Sequence, residues 1–188
     1  MADRNGWEAH YGDRLDAGIR PPSQFLLSHL DELPPGRAVD LASGDGRHAI
    51  CLARRGWQVT AIDYAGASLE RLSLIARRDQ LPIVALQADL TEMPLPPDHF
   101  DVAVNIRYLE RSLFDGIKST LRRGGVVVFE TFIRDQQQLG HPKNPAFMLE
   151  RGELSARFAD FDILASEEGR FETESGPAYL ARIAARRP

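Results

Sequence analysis

The sequence predicts an α/β protein: a single domain built on a doubly wound, mostly parallel sheet that closes with an antiparallel strand. Three observations carry this. From Arg37 to Phe129, short strand-like runs alternate with stretches whose apolar residues recur at helical spacing. Val126–Phe129 is continuously apolar, as suits a strand covered on both faces. And 188 residues, 43% hydrophobic and 27% charged, are an ordinary mix for one globular domain.

The elements follow in order. Between Pro21-Pro22 and Pro34-Pro35, residues Phe25, Leu26, His29, Leu30 and Leu33 share one helical face, and Ser23 is placed to cap it. Arg37–Ala42 reads as a strand, Arg47–Arg55 as a helix, and Gly56 as its C-terminal glycine. The β-branched run Gln58–Ile62 is the next strand. Ala67–Asp79 is a helix with Leu69, Leu72, Ile75 and Ala76 on one face. Strands are expected at Ile83–Gln87 and Phe100–Ile106, with the Pro-rich loop Thr91–His99 between them. A helix over Glu110–Leu121 and a turn at Gly124-Gly125 lead into Val126–Phe129. A polar loop, Arg134–Pro145, precedes a helix over Glu150–Phe158. Two closing strands, Phe161–Ala165 and Tyr179–Ala184, are linked by turns at Glu167-Glu168-Gly169 and Ser175-Gly176-Pro177.

Composition removes several function classes. The net charge of −4 argues against a nucleic-acid coat, which needs a basic face. No run approaches the roughly 20 apolar residues of a membrane span. The polar start, Met1–Tyr11, and the single cysteine, Cys51, predict a cytoplasmic protein without a secretory signal. The five histidines show no metal-binding spacing. There is no G-x-S-x-G elbow, and no Walker lysine follows the glycine loop.

In doubly wound sheets ligands bind outside the carboxyl ends of the strands. There the sequence reads Asp40-Leu41-Ala42-Ser43-Gly44-Asp45-Gly46-Arg47-His48. Gly44 and Gly46 permit positive φ and close approach to a ligand. Asp63, ending the second strand, can accept hydrogen bonds from both hydroxyls of a ribose, or can simply cap the helix behind it. Asp89, after the third strand, can accept from an adenine amine or initiate a turn. Asn105, at the end of the fourth, can hold an amino-acid-like group. Two cofactors compete. Gly44–Ala49 fits G-x-G-x-x-A, the dinucleotide pattern of a nicotinamide-dependent oxidoreductase, although Asp45 then faces a pyrophosphate, which Arg47 only partly offsets. S-adenosylmethionine has the ribose and adenine but no phosphate.

Val39–Gly46 resembles the first motif of the class I S-adenosylmethionine-dependent methyltransferases, an acid ending the first strand followed by a glycine loop. Ala42 stands where that family usually has its first glycine. Asp63 in Val59–Asp63 resembles the family's ribose acid, and Asp89-Leu90 its adenine-contacting pair. Phe100–Val104 and Leu121–Val126 resemble its fourth strand and the turn before its fifth. The resemblance implies a seven-stranded Rossmann-like sheet and S-adenosylmethionine held by Asp40, Ala42, Ser43, Gly44, Gly46, Arg47, Asp63, Tyr64, Asp89, Leu90 and Asn105. Trp7–Tyr11 and Gly140–Pro145 with the helix after them are similar to the small bacterial tellurite-resistance and thiopurine-type methyltransferases.

Under that resemblance residues 1–36 form a helical cover and 37–188 the catalytic core. The chain is then a monomer or homodimer acting on a small-molecule methyl acceptor, with no metal, nucleic acid or membrane involved. Arg107 is placed to orient an anionic acceptor, Tyr108 to stack or donate a hydrogen bond, and His141 to act from a loop over the site. Glu130, Tyr11 and Arg20 are further polar residues near the expected site. A non-catalytic protein that only binds the cofactor remains an alternative.

Overall fold

The computed structural model describes residues 19–188. Trp7–Tyr11, Tyr11 among them, and the first half of the expected cover lie outside these residues. Seven strands form one sheet in the order β3-β2-β1-β4-β5-β7-β6. They are β1 (Arg37–Leu41), β2 (Gln58–Asp63), β3 (Ile83–Gln87), β4 (Phe100–Ile106), β5 (Leu121–Phe132), β6 (Asp162–Thr173) and β7 (Gly176–Arg186). β1 to β5 are parallel to one another, and β7 runs antiparallel between β5 and β6. This is the doubly wound, mostly parallel sheet with an antiparallel C-terminal strand that the sequence predicts. Among the described residues no helix is long and apolar enough to cross a membrane.

The helices are α1 (Gln24–Ser28), α2 (Arg47–Ala53), α3 (Gly66–Arg78), α4 (Phe114–Thr120) and α5 (Glu153–Arg157). Ser23 caps α1, its Oγ accepting from the Phe25 N–H at 3.2 Å. Neighbouring strand residues divide between the two faces, as a period of two requires. Val39, Ala103, Val127 and Phe129 pack on one face with Phe114 of α4 and Phe158. Ala38, Val102, Val104, Val126 and Val128 pack on the other with Phe25 of α1 and Ile50 of α2. Both faces are therefore covered, which is why β4 and β5 can be so apolar.

Several local expectations are corrected. The Glu167-Glu168-Gly169 segment is not a turn; it lies inside β6, and the hairpin turns at Glu174-Ser175 instead. β6 is an edge strand, so its outward charges meet water and do not break it. Gly124-Gly125 extends β5, with Gly124 N–H and Gly125 C=O both bonded to Arg187. The helix expected from Glu110 is a 3₁₀ turn, Arg111–Leu113, followed by α4. The one expected over Glu150–Phe158 shrinks to α5, and the loop from Arg134 contains a 3₁₀ helix, Arg134–Leu139.

The topology fixes where a ligand can bind. The sheet order reverses at β1 and β4, whose ends lie side by side with Leu41 opposite Asn105. The residues that follow those ends, Ala42 (φ 53°) and Arg107 (φ 65°), both take left-handed backbone conformations that non-glycine residues seldom adopt. Gly46 (φ 76°) starts α2 in the same conformation, and a Cβ there meets Leu72 Cδ1 at 2.4 Å. Leu72 is fully buried and has nowhere to go. Gly46→Ala is therefore expected to lose about 3 kcal/mol of stability, from overpacking plus the left-handed penalty. Urea unfolding checks this, and a loss below about 1 kcal/mol would show that α3 yields.

Candidate functional site

The glycine loop is held from β2. The Gly44 N–H donates to Asp63 Oδ2 at 2.7 Å, and the Ala65 N–H donates to Asp63 Oδ1 at 2.8 Å. The Ser43 N–H adds a bond to the Ile62 carbonyl. Asp63 is only 8% exposed, and its side chain sets the loop. Across the crevice, Asp89 Oδ1 accepts from the Thr91 N–H and hydroxyl, shaping the turn after β3. Leu90 is buried beneath it. Tyr64 is among the exposed residues, its carbonyl accepting from the Gln87 amide.

Asp40 is fully enclosed. Its Oδ2 accepts from the Ala49 N–H at 3.0 Å, tying β1 to α2. Burial pushes its pKa up to about 7, with Asp63 and Asp45 adding to the rise, while the Ala49 bond and Arg47 oppose it. His48, at the start of α2, is also buried, with Nδ1 3.8 Å from Asp40 Oδ1. Burial, reinforced by Arg47, Arg20 and Arg107, holds its pKa well below the usual value, so the imidazole is neutral.

Beyond β4 the chain sends two side chains opposite ways. Tyr108 packs with the cluster on the α4 face. Burial first, then Glu110, Asp89 and Asp63, push its phenol up to about 12. It is therefore a neutral hydroxyl beside the acids of β2 and β3. Arg107 turns toward β5. Its Nε donates to Glu130 Oε1 at 3.0 Å, and its guanidinium lies 4.7 Å from the Phe132 ring centre. Burial lowers its pKa, against the pull of Glu130 and Glu174. Glu130, 1% exposed, also meets Arg182 Nε at 2.9 Å and the Ser23 hydroxyl at 3.2 Å. It is bound up in ion pairs and is no free base.

Arg47 does not face the loop's ligand side with its charge. Its Nη1 donates to Glu174 Oε1 at 2.5 Å and to the Pro21 carbonyl at 3.0 Å. Burial pushes Glu174 up, but its own N–H, Arg47 and Arg107 outweigh that and hold it below the usual carboxylate range. Arg20 Nε lies 3.7 Å from Asp45 Oδ2. His141 sits exposed in its loop, with its carbonyl held by Gln136 Nε2 at 2.7 Å. Gln136 Oε1 also accepts from the Tyr179 N–H, so this loop is pinned to β7.

Four buried polar atoms at the ends of β1 and β4 have no hydrogen-bond partner among the described residues: Ser43 Oγ, His48 Nε2, Asn105 Oδ1 and Arg107 Nη2. An unpaired buried polar atom costs about 1–3 kcal/mol, so groups like these mark the place a ligand completes. The set suits a ligand with hydroxyl and amino-acid groups. It suits a pyrophosphate badly, since Asp40, Asp45 and Asp63 surround the loop and Arg47 is spent on Glu174. Sequence reasoning expected Asp63 and Asn105 at the ends of their strands, and the structure has them there. It missed His48, whose place directly after the loop was the available signal, and Glu174, which nothing local marks.

Comparison with known proteins agrees with this geometry. Residues 38–125 match the model of a methyltransferase domain. The structure of TehB from Haemophilus influenzae superposes with a TM-score of 0.78 at 20% identity, covering 97% of this chain and 67% of that one. Residues 38–125 are thus similar to a methyltransferase domain, and the sheet has the same fold as TehB. A geranyl diphosphate C-methyltransferase from Streptomyces coelicolor A3(2), solved with S-adenosyl-L-homocysteine, superposes with a TM-score of 0.68 at 15% identity, covering 86% of this chain and 76% of that one. Hemagglutinin 1 of Eikenella corrodens is 23% identical over 159 residues, covering 80% of this chain and 52% of its own length. The chain spans about half the length, or less, of the curated relatives it matches. The partnerless atoms and the acids at the β1–β4 crevice suit a nucleoside without phosphate.

The folded Asp40 keeps its proton up to about pH 7, whereas in the unfolded chain it gives it up near 3.8. The folded state thus binds the extra proton between those values, and stability falls as pH rises through them. Asp40→Asn removes that loss. It is expected to be more stable than wild type by about 3 kcal/mol at pH 8, with the gap closing by pH 4. Parallel urea titrations at the two pH values check this; a pH-independent gap would contradict the buried acid.

Proposed function

We propose that this protein transfers a methyl group from S-adenosylmethionine to a small-molecule acceptor. The observation that carries the reading is the convergence of Asp63, the Gly44–Gly46 loop and the unpaired Ser43, His48, Asn105 and Arg107 atoms on one crevice. In this reading Asp63 accepts the ribose hydroxyls, and Asp89, with Tyr64 and Leu90, borders the adenine. Ala42, Ser43, Gly44 and Gly46 form the cradle, which Asp40 and Arg47 support from behind, and Asn105 Oδ1 accepts from the amino-acid end. When bound, the sulfonium supplies an electrophilic methyl group.

The residues of the chain then have positioning and shielding work. Tyr108, neutral at working pH, donates a hydrogen bond and closes the adenosine side. Arg107, steadied by Glu130 and Phe132, offers its unpaired Nη2 to a polar or anionic group of the acceptor. Neutral His48 can only accept a hydrogen bond at Nε2 if the proton sits on Nδ1, toward Asp40. The pinned loop after β5 and the hairpin of β6 and β7 leave this side enclosed, which favours a compact acceptor. His141, exposed in the loop, has a place at its outer rim.

Titration calorimetry with S-adenosylhomocysteine tests the cofactor half. Wild type is expected to bind, and Asp63→Asn to bind about 100-fold more weakly as the charge-assisted bonds to the diol are lost. Equal affinities would remove the ribose assignment. Release of labelled methyl groups from S-adenosylmethionine onto a panel of thiols, thiopurines and small oxyanions tests the acceptor half. Binding of the cofactor with no transfer to any of these acceptors would favour a protein that only binds it.

A further inference from the structure

The hairpin of β6 and β7 reaches further than the sheet requires. β7 leaves β5 at Leu180, opposite Phe132, yet its pairing with β6 continues to Gly176 opposite Thr173. The Tyr179 backbone is taken up by Ile133 and Gln136. Beyond it, three residue pairs from Ala178↔Phe171 outward stand clear of the parallel strands, about 10 Å of ribbon. At the tip Glu174 meets Arg47, 127 positions away in sequence. Arg47 opens α2 directly behind the glycine loop. β7 and β1 are three strand spacings apart in the sheet order, about 14 Å. The tip must therefore pass along the ends of β5 and β4, on the side of α1 and α2, to reach it. Its charge is felt at Arg107, which follows β4 on that path.

The contact is a tight one. The two side chains are 6% and 8% exposed, and the same Arg47 nitrogen also holds the Pro21 carbonyl ahead of α1. Two remote segments thus converge on one guanidinium. The other hydrogen bonds at the tip are local: Thr173 Oγ1 donates to the Gly176 carbonyl and accepts from the Ser175 N–H. They keep the turn's shape and do not fix where it lies.

We propose that Arg47 and Glu174 form a clasp in which Glu174 is a positioning residue. Through Arg47 it steadies the glycine-loop helix and keeps the hairpin closed along the acceptor side of the site. The proposal rests on the reading of the Gly44–Gly46 loop as the cofactor's cradle. Removing one partner of a buried pair leaves the other charge desolvated and unpaired, so Arg47 has to find water and the tip has to move with it. The sheet pairing from Leu180 to Arg186 does not depend on that contact.

Stopped-flow release of S-adenosylhomocysteine from wild type, Glu174→Gln and Glu174→Asp tests it. Glu174→Gln is expected to release the ligand about tenfold faster, and Glu174→Asp, with its charge on a shorter arm, to fall between. Should Glu174→Gln not fold, the Asp variant carries the same comparison with wild type. A merely structural pair lowers the urea midpoint and leaves the release rate unchanged, and that result overturns the clasp while the cofactor reading stands. Failure of wild type to bind S-adenosylhomocysteine overturns the cofactor reading and the clasp together.

Discussion

One carboxylate organises the ligand-binding edge of this molecule. Asp63 ends β2 and accepts from Gly44 on one oxygen and Ala65 on the other. It thereby joins the loop after β1 to the loop after β2, the two segments between which a nucleoside fits in a doubly wound sheet. The rest follows from that tie. The Gly44 N–H must point at β2, Gly46 must take a left-handed turn against Leu72, and α2 must start where Ala49 can reach Asp40. Ala42 accepts a left-handed backbone with a methyl group attached, where a glycine fits without strain. Its methyl packs against the apolar cluster, which offsets part of that strain.

The site also divides by charge. The β1–β3 side is acidic and carries Asp40, Asp45, Asp63 and Asp89, with neutral Tyr108 closing it. The β4–β7 side is threaded with arginines, each tied to a buried carboxylate: Arg107 and Arg182 to Glu130, and Arg47 to Glu174. Phe132 and Phe171 stack against two of those guanidiniums and shield them from water. A cofactor carrying a positive sulfonium and no phosphate matches the first side. An acceptor with a polar or anionic group matches Arg107 Nη2 on the second side, which has no hydrogen-bond partner among the described residues.

The sheet was legible because its strands are locally distinctive. β-branched runs such as Gln58–Ile62 and the apolar Val126–Phe129 sit in central positions where both faces are buried. The edge was less legible. β6 alternates charged and half-exposed residues, so Glu167-Glu168-Gly169 reads as a turn until the partner strand is seen. The positions of Asp63, Asp89 and Asn105 were legible because strand ends lie at fixed places in this topology. The long-range polar contacts could not. Arg47 and Glu174 are 127 positions apart, and Ser23 and Glu130 are 107 apart. No local pattern encodes a contact that only the closed sheet creates.

In the proposed reading the crevice between β1 and β4 receives the nucleoside, with its amino-acid arm at Ser43 and Asn105. A crystal structure grown with S-adenosylhomocysteine tests this most directly. Ribose hydroxyls are expected on Asp63, adenine beside Asp89 and Leu90, and the amino-acid arm against Ser43 and Asn105. Ligand density elsewhere, or a ribose out of reach of Asp63, would contradict it.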